Sequence, residues 1–383
     1  MPITITEVEL SLVRLNLVHA FETSSHRKSH LDHIVVRVTA EDGSVGWGEC
    51  ASPSDPFYCG ESTWTCWYVL GDYLAPMLLG QPWEHPDDAA RLTSKVSDNH
   101  FARAGLDMAC WDLYGQRHRA VLADQLGGTA ELVSAGVSLG IEPTVDGLLR
   151  QVEQHVADGY RRIKLKIRPG WDLEPVKAVQ AAFPAVALQV DANTGYHPGQ
   201  ADTLAALDGL GLLMIEQPYD KNDLLSHAEL AARLDTPVCL DESITSTAVL
   251  HTALRLGAAD IVNIKVSRLG GLGASREVHD VCLDAGVPVW CGGMHEFGIG
   301  RAANLALASL PGFVLPSDVS GSDKYYRTDI VTPPIRARDG QVPVPRARHG
   351  LGVLVDEDIL AQHTQRTWTR RLRDTAQWKE SAA

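Results

Sequence analysis

Three acidic residues recur along this chain at a fixed interval, and each one ends a short apolar run. Asp191 lies in LQVDANTG, Glu216 in LLMIEQP and Asp241 in VCLDES, so the two steps, 216 − 191 and 241 − 216, are both 25 residues. An interval of this length accommodates one strand and one returning helix, so the ends of successive strands meet at one mouth. The spacing therefore predicts that the three carboxylates converge.

Two lysines flank the acids on nearly the same interval. Lys166 in IKLKIRPG precedes Asp191 by 25 residues, and Lys265 in IVNIKVSR follows Asp241 by 24 residues. Both lysines end strand-like runs. Three acids between two lysines predict a divalent-metal site with a candidate base on either side.

The ligand chemistry favours a hard cation. Carboxylate oxygens without accompanying Cys or His ligands suit Mg²⁺, with Mn²⁺ as the alternative. A single acid at a strand end is more often a helix N-cap. Three acids in register on adjacent strands favour a shared ion instead.

A lysine that acts as a base at neutral pH needs a lowered pKa. Lys164 and Lys166 alternate on one strand and point to the same side, so we expect each to lower the pKa of the other, with the metal adding to the effect. The alternative for IKLKI is an edge strand protected by lysines. The helical segment before it and the acid-bearing strands after it argue against an edge position.

From about Glu131 the chain alternates short apolar runs with helix-like segments. Eight runs are candidate strands: VSAGVSLG, RRIKLKI, VALQVDA, GLLMIEQ, PVCLDES, DIVNIKV, VPVWCGG and GFVLPSD. This pattern predicts an α/β fold, a TIM barrel of the (β/α)7β type over residues 131–324, with its active site at the strand C-terminal ends. An open doubly wound sheet is the alternative, but it spreads strand-end residues in a row.

Residues 1–130 predict an α+β capping domain, completed by about 325–383. TITEVELSLVRLNL and HIVVRVTAEDGSVGWGEC are predicted strands, with the polar segment HAFETSSHRKSH as a mobile loop between them. Apolar residues recur at helical spacing from Thr63 to Leu79 and from Phe101 to Arg119. The charged C-terminal tail is predicted to be helical.

Composition excludes several classes of protein. The 383 residues carry a formal charge of −14, so there is no basic footprint for nucleic acid. The chain has no long uncharged apolar stretch, and MPITITEVEL lacks a secretory pattern, so we expect no membrane segment. Seven cysteines without a Cys-x-x-Cys pair favour reduced thiols and a cytoplasmic location.

Together these residues predict a particular chemistry. A metal that binds a substrate carboxylate can stabilise an enediolate while a lysine removes the α proton. A second lysine on the other face can return a proton, which gives racemisation or epimerisation, or can assist loss of a leaving group in a β-elimination.

The motifs KLK, VDANTGY, IEQP, LDES and NIKVSRLGG, with GWGEC and GLDMACWDLYGQ in the first domain, resemble the muconate-lactonizing subgroup of the enolase superfamily. The resemblance covers nearly the whole chain. It implies metal ligation by the three acids and acid/base roles for Lys166 and Lys265. It further implies that Lys164 is an auxiliary cation near the substrate carboxylate. Asn193 and Glu242 would orient the lysines or the ligands, with Asn193 facing the substrate.

Three longer segments, GYRRIKLKIRPGWDLEPV, VWCGGMHEFGIGRAANLALASLP and DVSGSDKYYRTDI, are similar to the o-succinylbenzoate synthase and N-acylamino acid (N-succinylamino acid) racemase family. After GGM that family usually carries an aliphatic residue and then Glu-Thr. This chain has His295, Glu296 and Phe297 there, so the detailed substrate stays open.

The first loop departs from the family as well, with Glu22 in FETSS where a basic residue is frequent. Both departures fall in segments that face the substrate in the family. The resemblance therefore implies substrate contacts for Phe21, Ser24, His295 and Glu296.

His295 has two interpretations, a substrate contact or third acid/base group, and a polar residue at the cavity mouth. A histidine base of the mandelate racemase type is disfavoured, because Lys265 already occupies the sixth strand. A dipeptide epimerase would carry Asp-x-Asp at the eighth strand, and PSDVS offers only Asp318.

We therefore predict a Mg²⁺-dependent enzyme, a lyase or isomerase, acting on a small-molecule carboxylate. The expected activities are o-succinylbenzoate formation by dehydration and racemisation of N-acylamino acids. A muconate-type cycloisomerase, or another racemase, epimerase or dehydratase of the superfamily, is the alternative. A non-catalytic carboxylate-binding barrel is the alternative from another class. A homo-oligomer is expected, whereas the physiological substrate is left open.

Overall fold

The computed structural model of the protein describes residues 2–22 and 27–374, with the backbone alone for residues 19–22 and 27–28. The N-terminal part combines an antiparallel sheet with helices. Its elements are β1 (Ile3–Glu22), β2 (Arg27–Ala40), β3 (Val45–Cys50), α1 (Thr63–Val69), α2 (Ala75–Leu78), β4 (Pro82–Trp83), α3 (Pro86–Leu92), α4 (His100–His118) and α5 (Leu122–Leu126), with a π-helical turn, Leu70–Leu74, between α1 and α2.

The following part alternates strands and helices as predicted. Its elements are β5 (Leu132–Ser134), β6 (Val137–Leu139), α6 (Val145–Ala157), β7 (Arg162–Lys166), α7 (Leu173–Ala182), β8 (Ala187–Asp191), α8 (Ala201–Ala205), β9 (Ile215–Glu216), α9 (Leu224–Ala231), β10 (Val238–Leu240), α10 (Thr247–Leu256), β11 (Ile261–Ile264), α11 (Val266–Leu269), α12 (Leu272–Asp284), β12 (Val289–Cys291) and α13 (Gly298–Ala308). Several helices begin at a side-chain cap, as at Thr144 before α6 and Ser246 before α10.

The C-terminal part returns along both preceding parts. Its elements are β13 (Val331–Thr332), β14 (Gln341–Pro343), β15 (Leu354–Val355), α14 (Glu357–His363) and β16 (Thr364–Arg371). The described residues also include three 3-10 turns, which are Pro198–Gln200, Ser322–Lys324 and Leu372–Asp374.

The central sheet is parallel and curled, with seven strands in the order β12-β11-β10-β9-β8-β7-β6. The strand that carries Lys164 and Lys166 is β7, and it lies between β6 and β8 rather than at an edge. The predicted eighth strand, residues 312–318, is not a regular strand. It forms isolated parallel bridges, Phe313 with Val289 on β12 and Ser317 with Ala135 before β6.

The capping sheet has the order β16-β1-β2-β3, with β4 paired to β1. Two predictions were wrong here. The segment predicted as a loop is largely hairpin, since β1 runs to Glu22 and β2 begins at Arg27. The tail predicted as helical is β16, which pairs antiparallel with β1 because the partner strand supplies hydrogen bonds that a local charge pattern cannot reveal.

Two large apolar clusters lie on either side of the long hairpin. Val8, Leu10 and Leu12 of β1 pack with α1 and α4 residues in the first cluster, while Val13 and Leu15 join the core around the parallel sheet. The register of β1 against β16 shifts between Leu12 and Val13, where the strand passes from one cluster to the other. This hairpin thereby holds the capping sheet against the strand ends that carry the predicted site.

Two further properties concern the cysteines and the length of the helices. All seven cysteines are free thiols. In the part of the chain covered by residues 2–22 and 27–374, no helix combines the length and apolar character that a bilayer crossing requires.

Candidate active site

A cavity of about 420 Å³ opens at the C-terminal ends of the parallel strands. Lys164 and Lys166 from β7 and Lys265 after β11 line it on the sheet side. His33 and Tyr58 of the N-terminal part line it from above. The cavity therefore lies between the two parts of the molecule, with strand-end side chains at its base.

The strand register brings the three predicted acids together, where they contact the lysines that line the cavity but are not themselves among its lining residues. Lys166 pairs with Asp191, and Asp191 pairs with Glu216 on the next strand. Asp241 follows β10, in which Cys239 pairs with Glu216. All three carboxylates are buried. The equal spacing in sequence thus becomes a row of carboxylates on β8, β9 and β10.

Lys164 lies among three carboxylates. Its ammonium Nζ is 2.6 Å from Asp318 Oδ2, 3.2 Å from Glu216 Oε2 and 3.4 Å from Asp191 Oδ2. Burial alone would lower the pKa of Lys164, but Asp318, Glu216 and Asp191 more than offset it and raise the pKa well above its ordinary value. Cationic neighbours were expected to lower the pKa of Lys164, whereas the three nearby carboxylates raise it in this structure.

Lys166 and Lys265 approach the carboxylates from opposite ends of the row. Lys166 Nζ donates to Asp191 Oδ2 at 2.6 Å and also contacts Asn193 Oδ1. Lys265 Nζ donates to Asp241 Oδ2 at 2.8 Å and lies 3.5 Å from the Tyr58 hydroxyl. Burial would lower the pKa of Lys265, but the Asp241 carboxylate outweighs it and raises the pKa.

Glu216 is held by two amide side chains that the sequence analysis did not single out. Gln189 Nε2 donates to Glu216 Oε2 at 2.8 Å, and Asn263 Nδ2 donates to Glu216 Oε1 at 2.9 Å. Gln189 stands two residues before Asp191 on β8, and Asn263 stands two residues before Lys265, which directly follows β11. The period-two alternation of a strand could have identified both.

In the described part of the chain, no three acids, histidines or cysteines form a ready-made ligand set for a metal ion. Each acid is paired with a cationic side chain instead; Asp241, for example, contacts both Lys265 and Arg268. Burial, followed by the charge of Asp191, raises the pKa of Glu216 to about 8. The ionised form of Glu216 therefore needs additional positive charge nearby to be stable in this buried position. Buried carboxylates are also the ligands that suit a hard divalent cation such as Mg²⁺.

Asn193 and Glu242 lie beside this row. Asn193 Nδ2 donates to Glu242 Oε1 at 3.0 Å, while its Oδ1 contacts Lys166. Burial, and then the charges of Asp241 and Asp191, raise the pKa of Glu242 to about 7. Asn193 and Glu242 thus connect Lys166, at the end of β7, to the segment that follows β10.

The residues expected on the substrate side are only partly described. His295 and Glu296 both line the cavity. Ser24 lies outside the described residues. Phe21 pairs with Lys28 in the hairpin, but its side chain lies outside the described part of the structure.

His295 has an unusual backbone, with φ of 61° in the left-handed region, and its carbonyl accepts from the Tyr326 hydroxyl. Burial, then Lys324 and Arg301, lower the pKa of His295 to about 3, so its ring is neutral at neutral pH. Glu296 accepts from the backbone N–H of Met294 at 2.9 Å. A neutral ring can form hydrogen bonds in the cavity without adding charge.

His33 is a further wall residue that sequence reasoning missed. Its Nδ1 is 2.7 Å from Glu49 Oε1, and its ring stacks on Phe297 with centroids 4.4 Å apart. The contact joins residues far apart in sequence, so no local pattern marks it. Alternation along β2 predicts that the His33 side chain points inward, but it does not predict this contact.

Two family models cover most of the chain. Residues 5–127 match the mandelate racemase / muconate lactonizing enzyme N-terminal domain, and residues 147–359 match the enolase C-terminal domain-like model. The capping sheet, the parallel strands and the strand-end carboxylates thus define an enolase-type enzyme. The chain belongs to the mandelate racemase / muconate lactonizing enzyme family of the enolase superfamily, whose enzymes generally use Mg²⁺.

Curated relatives match over nearly their full length. An o-succinylbenzoate synthase from Geobacillus stearothermophilus is 44% identical over 95% of this chain and 97% of its own. An N-succinylamino acid racemase from Amycolatopsis sp is 47% identical over 93% of this chain and 96% of its own. A solved member of the enolase superfamily from Listeria innocua superposes with a TM-score of 0.94 at 34% identity, covering 97% of this chain and all of its own.

Proposed function

We propose that this protein removes the proton α to the carboxylate of a small-molecule substrate with the help of Mg²⁺. The proposed activities are those named for its relatives, o-succinylbenzoate synthesis and N-succinylamino acid racemisation. One observation carries the proposal: Lys166 and Lys265 reach one cavity from opposite ends of a row of three buried carboxylates. A pair of amines placed in this way can exchange protons with both faces of one carbon atom.

The residues that would hold the cation are Asp191, Glu216 and Asp241. When bound, Mg²⁺ would neutralise the negative charge that a substrate carboxylate gains as its α proton leaves. Gln189 and Asn263 keep Glu216 in place through their N–H groups. Lys164 contacts Asp191 and Glu216 and would supply a further positive charge near the substrate carboxylate.

Proton transfer would use the two outer lysines. In racemisation one lysine, as the neutral amine, takes the proton from the α carbon, and the other, as the ammonium ion, gives a proton to the opposite face. Asn193 holds Lys166 from the side, and Tyr58 borders Lys265. In dehydration the same proton loss is followed by departure of a β-hydroxyl as water, with a lysine as the proton donor.

The test is solvent-deuterium exchange with each enantiomer of an N-succinylamino acid, in the presence of Mg²⁺. We expect the wild type to label and racemise both enantiomers. Lys166→Ala and Lys265→Ala should each lose racemisation, because one face has no base. Each variant should still label a single enantiomer, and the two variants should label opposite ones.

The control is Lys177→Ala, which removes an exposed lysine on α7. Calorimetric titration should show that Lys166→Ala still binds Mg²⁺. Racemisation by either single-lysine variant would contradict the mechanism. If the wild type gives neither label nor an aromatic dehydration product, a muconate-type cycloisomerase or a non-catalytic carboxylate-binding barrel takes its place.

We also propose that residues 1–130 and about 325–383 form one capping domain around a TIM barrel of residues 131–324. Pairing of β16 with β1 supports this division, since it ties the end of the chain to its beginning. The free thiols support a reducing, cytoplasmic location. A homo-oligomer is proposed by analogy with similar proteins, and light scattering would test it.

A further inference from the structure

The cavity wall that the N-terminal part supplies carries two polar side chains among apolar ones. His33 of β2 and Ser52, which follows β3, both line the cavity, with only 2% and 3% of their surfaces exposed. Leu31 and Ala51, on the same wall, are apolar. A few polar groups on an otherwise apolar wall fix the orientation of a bound ligand.

The backbone brings His33 and Ser52 close together. The Thr63 hydroxyl donates to the carbonyl oxygen of Asp32 at 3.3 Å and to that of Pro53 at 3.2 Å. Asp32 directly precedes His33, and Pro53 directly follows Ser52. The segment after β3 is therefore fastened beside β2, and the two polar side chains reach the cavity from neighbouring stretches of backbone.

The Ser52 hydroxyl is a buried polar group without a partner. In the described part of the chain, its Oγ makes no hydrogen bond, although the atom is shielded from solvent. Burying a hydroxyl without a hydrogen bond costs free energy, and a ligand that supplies the missing bond recovers it. Because a hydroxyl can donate as well as accept, it can serve a carbonyl oxygen of a ligand.

The contacts of His33 determine which hydrogen-bonding group it presents. Its Nδ1 lies 2.7 Å from Glu49 Oε1, and the same carboxylate accepts from Phe297 N and Gly300 N. An ionised carboxylate only accepts, so Nδ1 carries the hydrogen and Nε2 of the neutral ring is an acceptor. The ring stacks on Phe297, which fixes its plane. With Nδ1 turned to Glu49, the opposite edge, which holds Nε2, faces the cavity.

We propose that His33 and Ser52 form a subsite for a carboxamide at the end of the substrate's amino acid side chain. The amide N–H would donate to His33 Nε2, and the amide oxygen would accept from the Ser52 hydroxyl. A carboxylate has no hydrogen for Nε2, and an apolar side chain leaves both groups without partners. This inference rests on the proposed function, in which groups at the strand ends hold the reacting carboxylate of an N-acylamino acid.

The test compares racemisation of N-succinylglutamine, N-succinylmethionine and N-succinylglutamate, followed by polarimetry in the presence of Mg²⁺. The three side chains have similar lengths and end in a carboxamide, a thioether and a carboxylate. We expect the wild type to use the glutamine substrate with a kcat/KM about tenfold above that of the other two, the ratio for roughly 1.4 kcal/mol. N-succinylasparagine and N-succinylleucine repeat the comparison for a shorter side chain.

Two variants remove one hydrogen-bonding group each. Ser52→Ala deletes the hydroxyl, and His33→Asn keeps an N–H for Glu49 but has no atom at the position of Nε2. Each should lower the preference for the carboxamide about threefold or more. The controls are Ser54→Ala, an exposed serine of the same segment, and His30→Asn, a β2 histidine that is not among the described residues lining the cavity. Both controls should keep the wild-type preference.

The outcomes separate this inference from the proposed function. If the wild type racemises carboxamide and apolar substrates equally at both lengths, the subsite is excluded while the function stands. If Ser52→Ala and His33→Asn lower kcat/KM for all substrates by one factor, the two residues only support the wall. A preference for glutamate that His33→Asn abolishes would mean that a protonated His33 binds an anion, which also overturns the inference. If the wild type acts on none of these substrates, the proposed function itself fails.

Discussion

At the scale of single residues, the proposed metal ligand Glu216 illustrates how a buried carboxylate is held in place. Gln189 and Asn263 donate to its two oxygens, and Lys164 lies 3.2 Å from one of them. These contacts fix the orientation of the carboxylate without fully compensating its charge. Residues that orient a metal ligand in this way set the affinity for the metal as well as its geometry.

Asn263→Ala should therefore weaken Mg²⁺ binding about tenfold or more, because Glu216 loses the donor to Oε1. Calorimetric titration of the protein with Mg²⁺ measures this directly and does not depend on turnover. Gln154→Ala, an exposed amide on α6, is the matched control. Unchanged affinity in Asn263→Ala would show that Glu216 does not need this contact.

Asp112 on α4 is a buried acid with a structural role. It accepts from the backbone N–H of Trp47 at 2.8 Å and of Leu351 at 2.9 Å. Burial, opposed by these hydrogen bonds, raises its pKa from 3.8 to about 6. The folded protein therefore binds this proton more tightly than the unfolded chain does.

The stability that proton binding to Asp112 contributes is fully present below pH 3.8 and is lost as the pH rises through about 6. Asp112→Asn cannot titrate. From pH 4 to pH 7 the free energy of unfolding of the wild type should fall relative to that of the variant, by up to roughly 3 kcal/mol. Urea unfolding at both pH values measures the difference. If the free energy of unfolding changes equally with pH in the wild type and in Asp112→Asn, then Asp112 does not have a raised pKa in the folded protein.

At the scale of elements, the close contact of β3 and α4 depends on glycine. A Cβ atom added at Gly48 would lie 2.0 Å from the carbonyl oxygen of Gly105 and 2.7 Å from the backbone nitrogen of Ala109. Both atoms belong to the backbone of α4, which cannot shift without disturbing the helix. The GWG segment thus lets a strand of the cap lie directly on a helix.

Gly48→Ala should lower the free energy of unfolding by roughly 1–3 kcal/mol, because the added methyl overpacks this contact. Differential scanning calorimetry would record the lower Tm. Gly60→Ala is the control, since a Cβ at Gly60 meets no atom within 4 Å. An equal Tm for both variants would mean that β3 and α4 can separate without cost.

Element type was predictable wherever the pattern is local. The helices at Thr63–Val69 and His100–His118, and the seven parallel strands, follow from periodicity alone. Residues 364–371 were not predictable in this way. Their polar, charged sequence becomes strand β16 only because β1 offers an open edge.

At the scale of the whole molecule, Glu49 joins the capping sheet to the barrel helix α13. Its carboxylate accepts from Phe297 N at 2.8 Å and from Gly300 N at 2.7 Å, and it contacts His33 Nδ1 at 2.7 Å. The side chain is fully buried. One acid of the first domain therefore anchors the start of the helix beside the cavity.

Glu49→Ala leaves the two N–H groups at the start of α13 without partners, at a cost of roughly 1–3 kcal/mol each. We expect a lower Tm and a raised KM, because the cavity wall at Phe297 and His33 loses its anchor. Glu49→Gln keeps one acceptor oxygen, so its Tm should fall less and its KM should rise less than in Glu49→Ala. Calorimetry and steady-state kinetics test this together. A normal KM in Glu49→Ala would show that the wall holds its shape without the link.

The sequence by itself determined the row of three carboxylates, the two flanking lysines and the alternation that carries them. These are local properties, because the direction of a side chain on a strand and the length of a strand-helix unit repeat along the chain. The family followed from the same motifs.

Only the tertiary structure decided which distant groups meet. The Lys164–Asp318 pair and the His33–Glu49–Phe297 contact each join segments far apart in sequence. Their energies depend on burial and on distances of a few ångströms, and the pKa of Lys164 is set by which charges come closest. No pattern along the chain encodes those distances, since they arise only when the capping sheet closes over the strand ends.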